Sequence, residues 1–202
     1  WDGFAATMKV NNVDPAQHYE TALVGLYGNN CAIRNSNFTG IDVGDWNYNT
    51  SFVRIEHGTN STVYNNYFHN LTGTTSSVNT NGIWIISTRG VNIYNNTFWH
   101  MRNGTQGKVS VSSANFYQNF IYSPSNNECQ DGFYIGYQGG GVTGVFNIHN
   151  NVIIGCTRGV RLSGVLGTVA NSRIFNNTIL NGSGRQDGIY ITAGVAGVQI
   201  FN

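Results

Sequence analysis

The sequence predicts an all-β chain: a right-handed parallel β-helix, a solenoid with coils of 23 to 32 residues and an asparagine ladder. Two short phrases that recur in fixed order, a composition rich in turn-forming residues, and the lack of any sustained i, i+3, i+4 apolar pattern predict it. Of 202 residues, 30 are Asn and 26 are Gly, whereas charged residues make up only 9%. Asn and Gly both tolerate left-handed backbone, so a chain built from them can turn often. At 40% apolar residues it still has enough for a continuous core.

The first phrase is Val63-Tyr64-Asn65-Asn66-Tyr67-Phe68, which returns as Ile93-Tyr94-Asn95-Asn96-Thr97-Phe98 and Phe116-Tyr117-Gln118-Asn119-Phe120-Ile121. Further copies are Ile148-His149-Asn150-Asn151-Val152-Ile153 and Ile174-Phe175-Asn176-Asn177-Thr178-Ile179, with a weaker one at Ile33-Arg34-Asn35-Ser36-Asn37-Phe38. The second polar residue falls at 36, 66, 96, 119, 151 and 177, giving intervals of 30, 30, 23, 32 and 26. One coil per interval stacks like residues about 4.8 Å apart. The Asn column then reads as a ladder, each amide bonding the next coil's turn while its own backbone takes the bend.

The second phrase lies about one half-coil upstream: Gly82-Ile83-Trp84-Ile85-Ile86, Gly132-Phe133-Tyr134-Ile135-Gly136, Gly159-Val160-Arg161-Leu162-Ser163 and Gly188-Ile189-Tyr190-Ile191-Thr192. Phe52-Val53-Arg54-Ile55-Glu56 and Ala22-Leu23-Val24-Gly25-Leu26 take the same register. These are period-2 strands opened by a turn. The inward columns are Val53, Ile83, Phe133, Val160, Ile189, then Ile55, Ile85, Ile135, Leu162, Ile191, and from the first phrase Phe38, Phe68, Phe98, Ile121, Ile153, Ile179.

With this pattern the chain resembles the pectin-lyase-like superfamily of right-handed β-helices, which holds polysaccharide lyases and hydrolases and phage tailspikes. The resemblance spans about residues 21–202. It implies the fold and a sugar-chain face; it does not choose a chemistry, because one fold hosts many functions.

Residues 1–202 read as a single domain, 1–20 as an irregular or partial first coil and 21–202 as regular coils ending mid-coil at Gln199-Ile200-Phe201-Asn202. Solenoids blunt their ends with polar caps. None is legible here, which predicts a fragment of a longer solenoid, with homotrimeric or end-to-end assembly through the uncapped coils among its expected partners. A net charge of +1 gives no case for nucleic acid, and no apolar run reaches membrane-spanning length. Cys31, Cys129 and Cys156 fit no metal or redox spacing. Buried free thiols are favoured over a Cys129–Cys156 bridge between coils.

The outward column of the upstream strands reads Val24, Arg54, Trp84, Tyr134, Arg161, Tyr190, with Lys108 or Ser110 for the short coil. Aromatic faces stack on sugar rings and guanidinium forks grip carboxylates. Arg54, Trp84, Tyr134, Arg161 and Tyr190 are therefore the expected substrate-binding residues, set against a loop-covered face and a subunit interface. Hydrolysis normally needs two carboxyl groups, and only Glu56 lies mid-strand on this face. Asn79-Thr80-Asn81-Gly82 is similar to the polygalacturonase Asn-Thr-Asp-Gly motif, but Asn81 stands in place of the acid. β-Elimination asks less, a base plus neutralisation of a uronate, for which Arg54, Glu56, Lys108, Arg161, Tyr134, Tyr190 and His57 are the candidates. No cofactor is expected. Calcium is left open, weakly, at Asp131 and Asp187, whose Asp-Gly context favours a turn role. His149 reads as structural, and His69 and His100 carry no metal spacing.

Sequons occur at Asn37, Asn49, Asn60, Asn70, Asn95, Asn103, Asn176 and Asn181. Asn95 and Asn176 belong to the ladder phrase and should be enclosed. Asn49, Asn70, Asn103 and Asn181 are the candidates for glycan. The functional reading is an extracellular, cell-surface or virion module that binds a polysaccharide, with cleavage by β-elimination favoured over hydrolysis. Its rival is a non-catalytic rod, a segment of a tailspike, fibre or surface filament.

Overall fold

The computed structural model describes residues 2–3, 5–7, 20–40, 49–72, 79–124, 128–136, 143–163, 171–180, 187–192 and 195–202. Among them there is no helix, and the strands fall into three parallel sheets of seven. In coil order, the first sheet holds Glu20–Leu26, Asn49–Glu56, Asn79–Ile86, Asn103–Lys108, Cys129–Gly136, Cys156–Ser163 and Asp187–Ile191. The second holds Ala32–Arg34, Thr62–Tyr64, Arg89–Tyr94, Ser112–Tyr117, Thr143–His149, Arg173–Phe175 and Gln199–Phe201. The third holds Ala5–Thr7, Asn37–Thr39, Tyr67–Leu71, Thr97–Met101, Phe120–Tyr122, Val152–Ile154 and Thr178–Leu180. Each strand pairs with its counterpart one coil away, so the chain is a parallel β-solenoid with a coil running first, second, third sheet.

The inward columns register as the repeat predicts. Val53, Ile83, Phe133 and Val160 align and are fully buried, as do Ile55, Ile85, Ile135 and Leu162. In the third sheet Phe38, Phe68 and Phe98 stack face to face at 4.7 and 5.0 Å. A fourth inward column, Ile33, Val63, Ile93, Phe116, Ile148 and Ile174, closes the core from the second sheet. Within four consecutive first-sheet strands, Gly82, Gly104, Gly132 and Gly159 sit so close to the next coil that a Cβ would meet its carbonyl oxygen at 2.5–2.7 Å. This crowding, not a positive φ, makes the position glycine.

Two adjacent residues share the work expected of one at the corner between second and third sheets. Asn35, Asn65, Asn95, Gln118, Asn150 and Asn176 take the left-handed bend, φ 52–56°, and face solvent. The residue after each points inward. The Oδ1 atoms of Asn66, Asn96, Asn119, Asn151 and Asn177 accept the backbone N–H of Ser36, Asn66, Asn96, Asn119 and Asn151 at 3.0–3.1 Å. Their Nδ2 groups donate to the carbonyls of Ile33, Val63, Ile93, Phe116 and Ile148. Each buried amide thus satisfies polar groups of the neighbouring coils that water cannot reach. Asn96→Ala should destabilise by about 1–3 kcal/mol, because it orphans Asn66 N–H and the Val63 carbonyl together; a neutral result in urea melts would show that the ladder contributes no stability.

Three expectations need correction. Cys129 and Cys156 pair in register, Cα–Cα 4.5 Å, and form a disulfide, so they are not free thiols; Cys31 remains free. The register of the first strand is one residue off: Gly25, not Val24, aligns with Arg54, while Val24 aligns with inward Val53. In the short coil Gln106, not Lys108 or Ser110, aligns with Trp84 and Tyr134.

Candidate functional site on the outward face of the first sheet

The outward column runs Gly25, Arg54, Trp84, Gln106, Tyr134, Arg161, Tyr190 in register. It is not one continuous open surface. Trp84 is 3% exposed and Gln106 2%. Arg54 lies over one side of the Trp84 ring with Cζ 5.1 Å from its centroid, and the Lys108 ammonium approaches at 5.7 Å. A ring so enclosed cannot serve as a stacking platform, which corrects the expectation for Trp84. Lys108 is itself 3% exposed. Arg54 donates from Nε to Glu56 at 2.7 Å, and the other Glu56 oxygen meets His57 Nε2 at 3.2 Å. The candidates Arg54, Glu56 and Lys108 therefore belong to a packed, ion-paired upper half.

The lower half is more open. Tyr134 is half-buried, its ring leaning over Gly136, where a Cβ would meet the Tyr134 ring at 2.3 Å. Arg161 lies over that ring, Cζ to centroid 4.3 Å, with about a quarter of its side chain exposed. Arg158 stands 5.9 Å from the Tyr190 ring, which is 38% exposed. These pairs alternate guanidinium and aromatic over three consecutive coils, within cation–π range.

Beneath them lies an acid that the sequence suggests as a turn former. Asp131 sits inside strand Cys129–Gly136, 1% exposed, and not in a turn. Arg158 grips it through Nε and Nη2 at 2.5 and 3.1 Å, and Arg161 Nη1 stands at 3.7 Å. Burial holds the Asp131 carboxyl above the ordinary aspartate pKa, while Arg158, then Arg161 and Arg102, pull against it. Arg102, 5% exposed, donates to Gln130 Oε1 at 3.0 Å, and its burial lowers its own pKa. So engaged, Asp131 is the carboxylate partner of Arg158 and Arg161. Among the described residues, no group of three or more His, Cys, Asp or Glu is gathered to hold a metal. Arg102, Arg158 and Gln106 escape the sequence reading. The signal was there: Cys129 and Cys156 each stand three residues before the strand glycine, which places Asp131 opposite Arg158.

Asn81, the residue in the acid position of the polygalacturonase-like motif, is fully buried and accepts at Oδ1 from Asn103 Nδ2, 3.2 Å away. Asn103 in turn accepts the Asp131 N–H at 3.2 Å. A sugar cannot be carried on Asn103, 2% exposed, so that glycosylation candidate is withdrawn. Asn95 and Asn176, expected to be enclosed, are exposed. Asn70 is exposed but lies in a polar chain, linking His69 Nδ1 at 3.0 Å to His100 Nδ1 at 3.1 Å, with His100 Nε2 2.9 Å from Glu128. The Asn49 side chain and Asn181 lie outside the described residues. His149 is sandwiched between Tyr117 and Phe175 in a stack that runs from Tyr64 to Phe201 at 4.7–5.3 Å spacing. Its burial there lowers its pKa, as expected of a packing histidine.

Among the described residues, no helix is long and apolar enough to cross a membrane. No protein-family model, no curated protein and no solved structure matches this chain.

Proposed function

We propose that the chain is an extracellular binding module of the pectin-lyase-like kind, and that its lower first-sheet face, Tyr134, Arg161, Arg158 and Tyr190, holds an acidic polysaccharide. The observation that carries this reading is the guanidinium–aromatic platform itself. Arg161 over Tyr134 and Arg158 beside Tyr190 set two arginines of one coil between tyrosines of the coils on either side. Arg158 and Arg161 both meet one buried Asp131, and Arg161 keeps about a quarter of its side chain in solvent, where a ligand carboxylate can reach it. Flat rings and forked donors are what uronate units recognise. A disulfide between adjacent coils fits an oxidising compartment.

Binding is favoured over catalysis. Glu56 is ion-paired and Asp131 is gripped by Arg158, so neither stands ready for proton transfer. Arg161→Ala should weaken retention on a polygalacturonate affinity gel about tenfold, and 0.5 M NaCl should produce a similar loss with the parent protein. A melting curve of the variant separates lost binding from lost fold. Unchanged retention by the folded variant would leave the face a packing surface. The rival reading, a non-catalytic rod, would then stand, and the enclosed Trp84 and the unbroken ladders favour it.

A further inference from the structure

The third sheet presents a different surface from the one just described, and its chemistry is neutral. At the corner with the second sheet an open groove of about 680 Å³ runs along the solenoid axis. One wall is the exposed row Asn35, Asn65, Asn95; the other is Asn37, Tyr67, Thr97; Ser36 and Asn66 form the floor. Asn65 donates to Asn35 Oδ1 at 3.4 Å and Asn95 to Asn65 Oδ1 at 3.1 Å. Each amide has two N–H donors and an oxygen with two lone pairs, so this row keeps donors and acceptors directed at solvent. Near the groove Arg34 pairs with Asp2 at 3.1 Å, which cancels the charge of both.

The outer wall carries rings where a soluble strand ordinarily carries small polar residues. Tyr67, on that wall, and Phe120, one coil beyond the groove's end, flank Thr97 in one register column, each 39% exposed. They stand two coil heights apart, roughly 10 Å. Trp99, 37% exposed, lies in the neighbouring column, tilted against Tyr122. Two residue columns over these coils cover on the order of 200–300 Å² from strand and coil spacings. A stable protein partner needs about 800 Å² per side. The strip is too narrow for a second copy and has the shape of a thread.

We propose that this groove, continued one coil past Thr97, binds an extended neutral glycan, with alternate sugar rings on Tyr67 and Phe120 and hydroxyls bonded to the Asn65 and Asn95 amides. In an extended β-linked chain alternate units present the same face, which suits two platforms separated by one non-aromatic coil. Amide rows beside exposed rings satisfy hydroxyls without any charge, so the ligand class differs from that of the arginine face.

Titration of the intact chain with cellohexaose and mannohexaose, followed by amide and side-chain NMR shifts, tests this. Saturable binding of at least one is expected, moving the Asn65 and Asn95 side-chain resonances. Tyr67→Ala and Phe120→Ala should each weaken it at least fivefold, while 0.5 M NaCl and Arg161→Ala leave it unchanged. Both platform residues are surface-exposed, so the variants should fold, and a melting curve checks this. No saturable binding of either hexasaccharide overturns the proposal. So does binding that survives both aromatic variants, and so does binding that is lost in Arg161→Ala instead, which would assign the sugar to the first-sheet face.

Discussion

Asp131→Ala is expected to destabilise the solenoid by about 3–5 kcal/mol, the cost of breaking a buried charge pair by removing one partner. The carboxylate is buried and Arg158 bonds it through two nitrogens, with Arg161 close by and Arg102 within its field. Without it, Arg158 and Arg161, on one strand, lose the carboxylate between their charges and that of Arg102. Arg158 and Arg161 keep 17% and 25% of their side chains exposed, so part of the repulsion is relieved by water and the lower end of the range applies. Asp131→Asn retains one acceptor oxygen and should lose about half as much. Urea melts of both variants measure it. Salt gives a second reading: 0.5 M NaCl should recover part of the alanine variant's loss by screening the arginines. A loss below about 1 kcal/mol would mean that the arginines are solvated independently and that Asp131 is not the group that organises them.

The cluster marks the boundary of what the linear sequence discloses. Periodicity locates the strands, the inward columns and the buried Asn, because stacking repeats the same environment every coil and selects the same residue type for it. Where a coil departs from the repeat, the type changes and the pattern falls silent. The short coil places Thr105 and Gly107 where its neighbours have Ile83 and Ile85, so only Gly104 remains to reveal that Gln106 is the outward residue. The first strand fails for a related reason: Val24 is apolar and could face either way, and its register comes from pairing with Val53.

Outward residues are less legible still. Arg54, Trp84 and Arg161 look alike as members of one column, but Trp84 is enclosed and Arg54 is tied to Glu56, while Arg161 keeps a quarter of its side chain in solvent. Alternation says which side of a sheet a residue faces; it does not say what lies over that side. The same blindness applies to the Asn pairs. Sequence treats Asn95 and Asn96 as equal partners in one phrase, yet one bends the chain in solvent and the other is 1% exposed and fully bonded.

Ile135→Asn is expected to cost about 4–5 kcal/mol and to leave little folded protein in a chain of ordinary stability. Two effects add. The aliphatic volume is lost from a site 1% exposed, and an amide that needs partners takes its place. The two residues in register with it offer no side-chain partner. In the same inward column Ile135 meets Gly107 above and Leu162 below. The Ile135 side chain fills the space that Gly107 leaves, since a Cβ on Gly107 would approach Ile135 Cδ1 at 3.2 Å. The buried ladder amides tolerate their depth because each meets a carbonyl and an N–H of an adjacent coil; a lone Asn between Gly107 and Leu162 has no such pair directly above and below it. Ile135→Val is the control, removing one methylene for about 0.5–1.5 kcal/mol. Denaturant melts of the pair measure the difference. If the Asn variant melts within 1 kcal/mol of the Val variant, the column has room for water and is not the dry core described here.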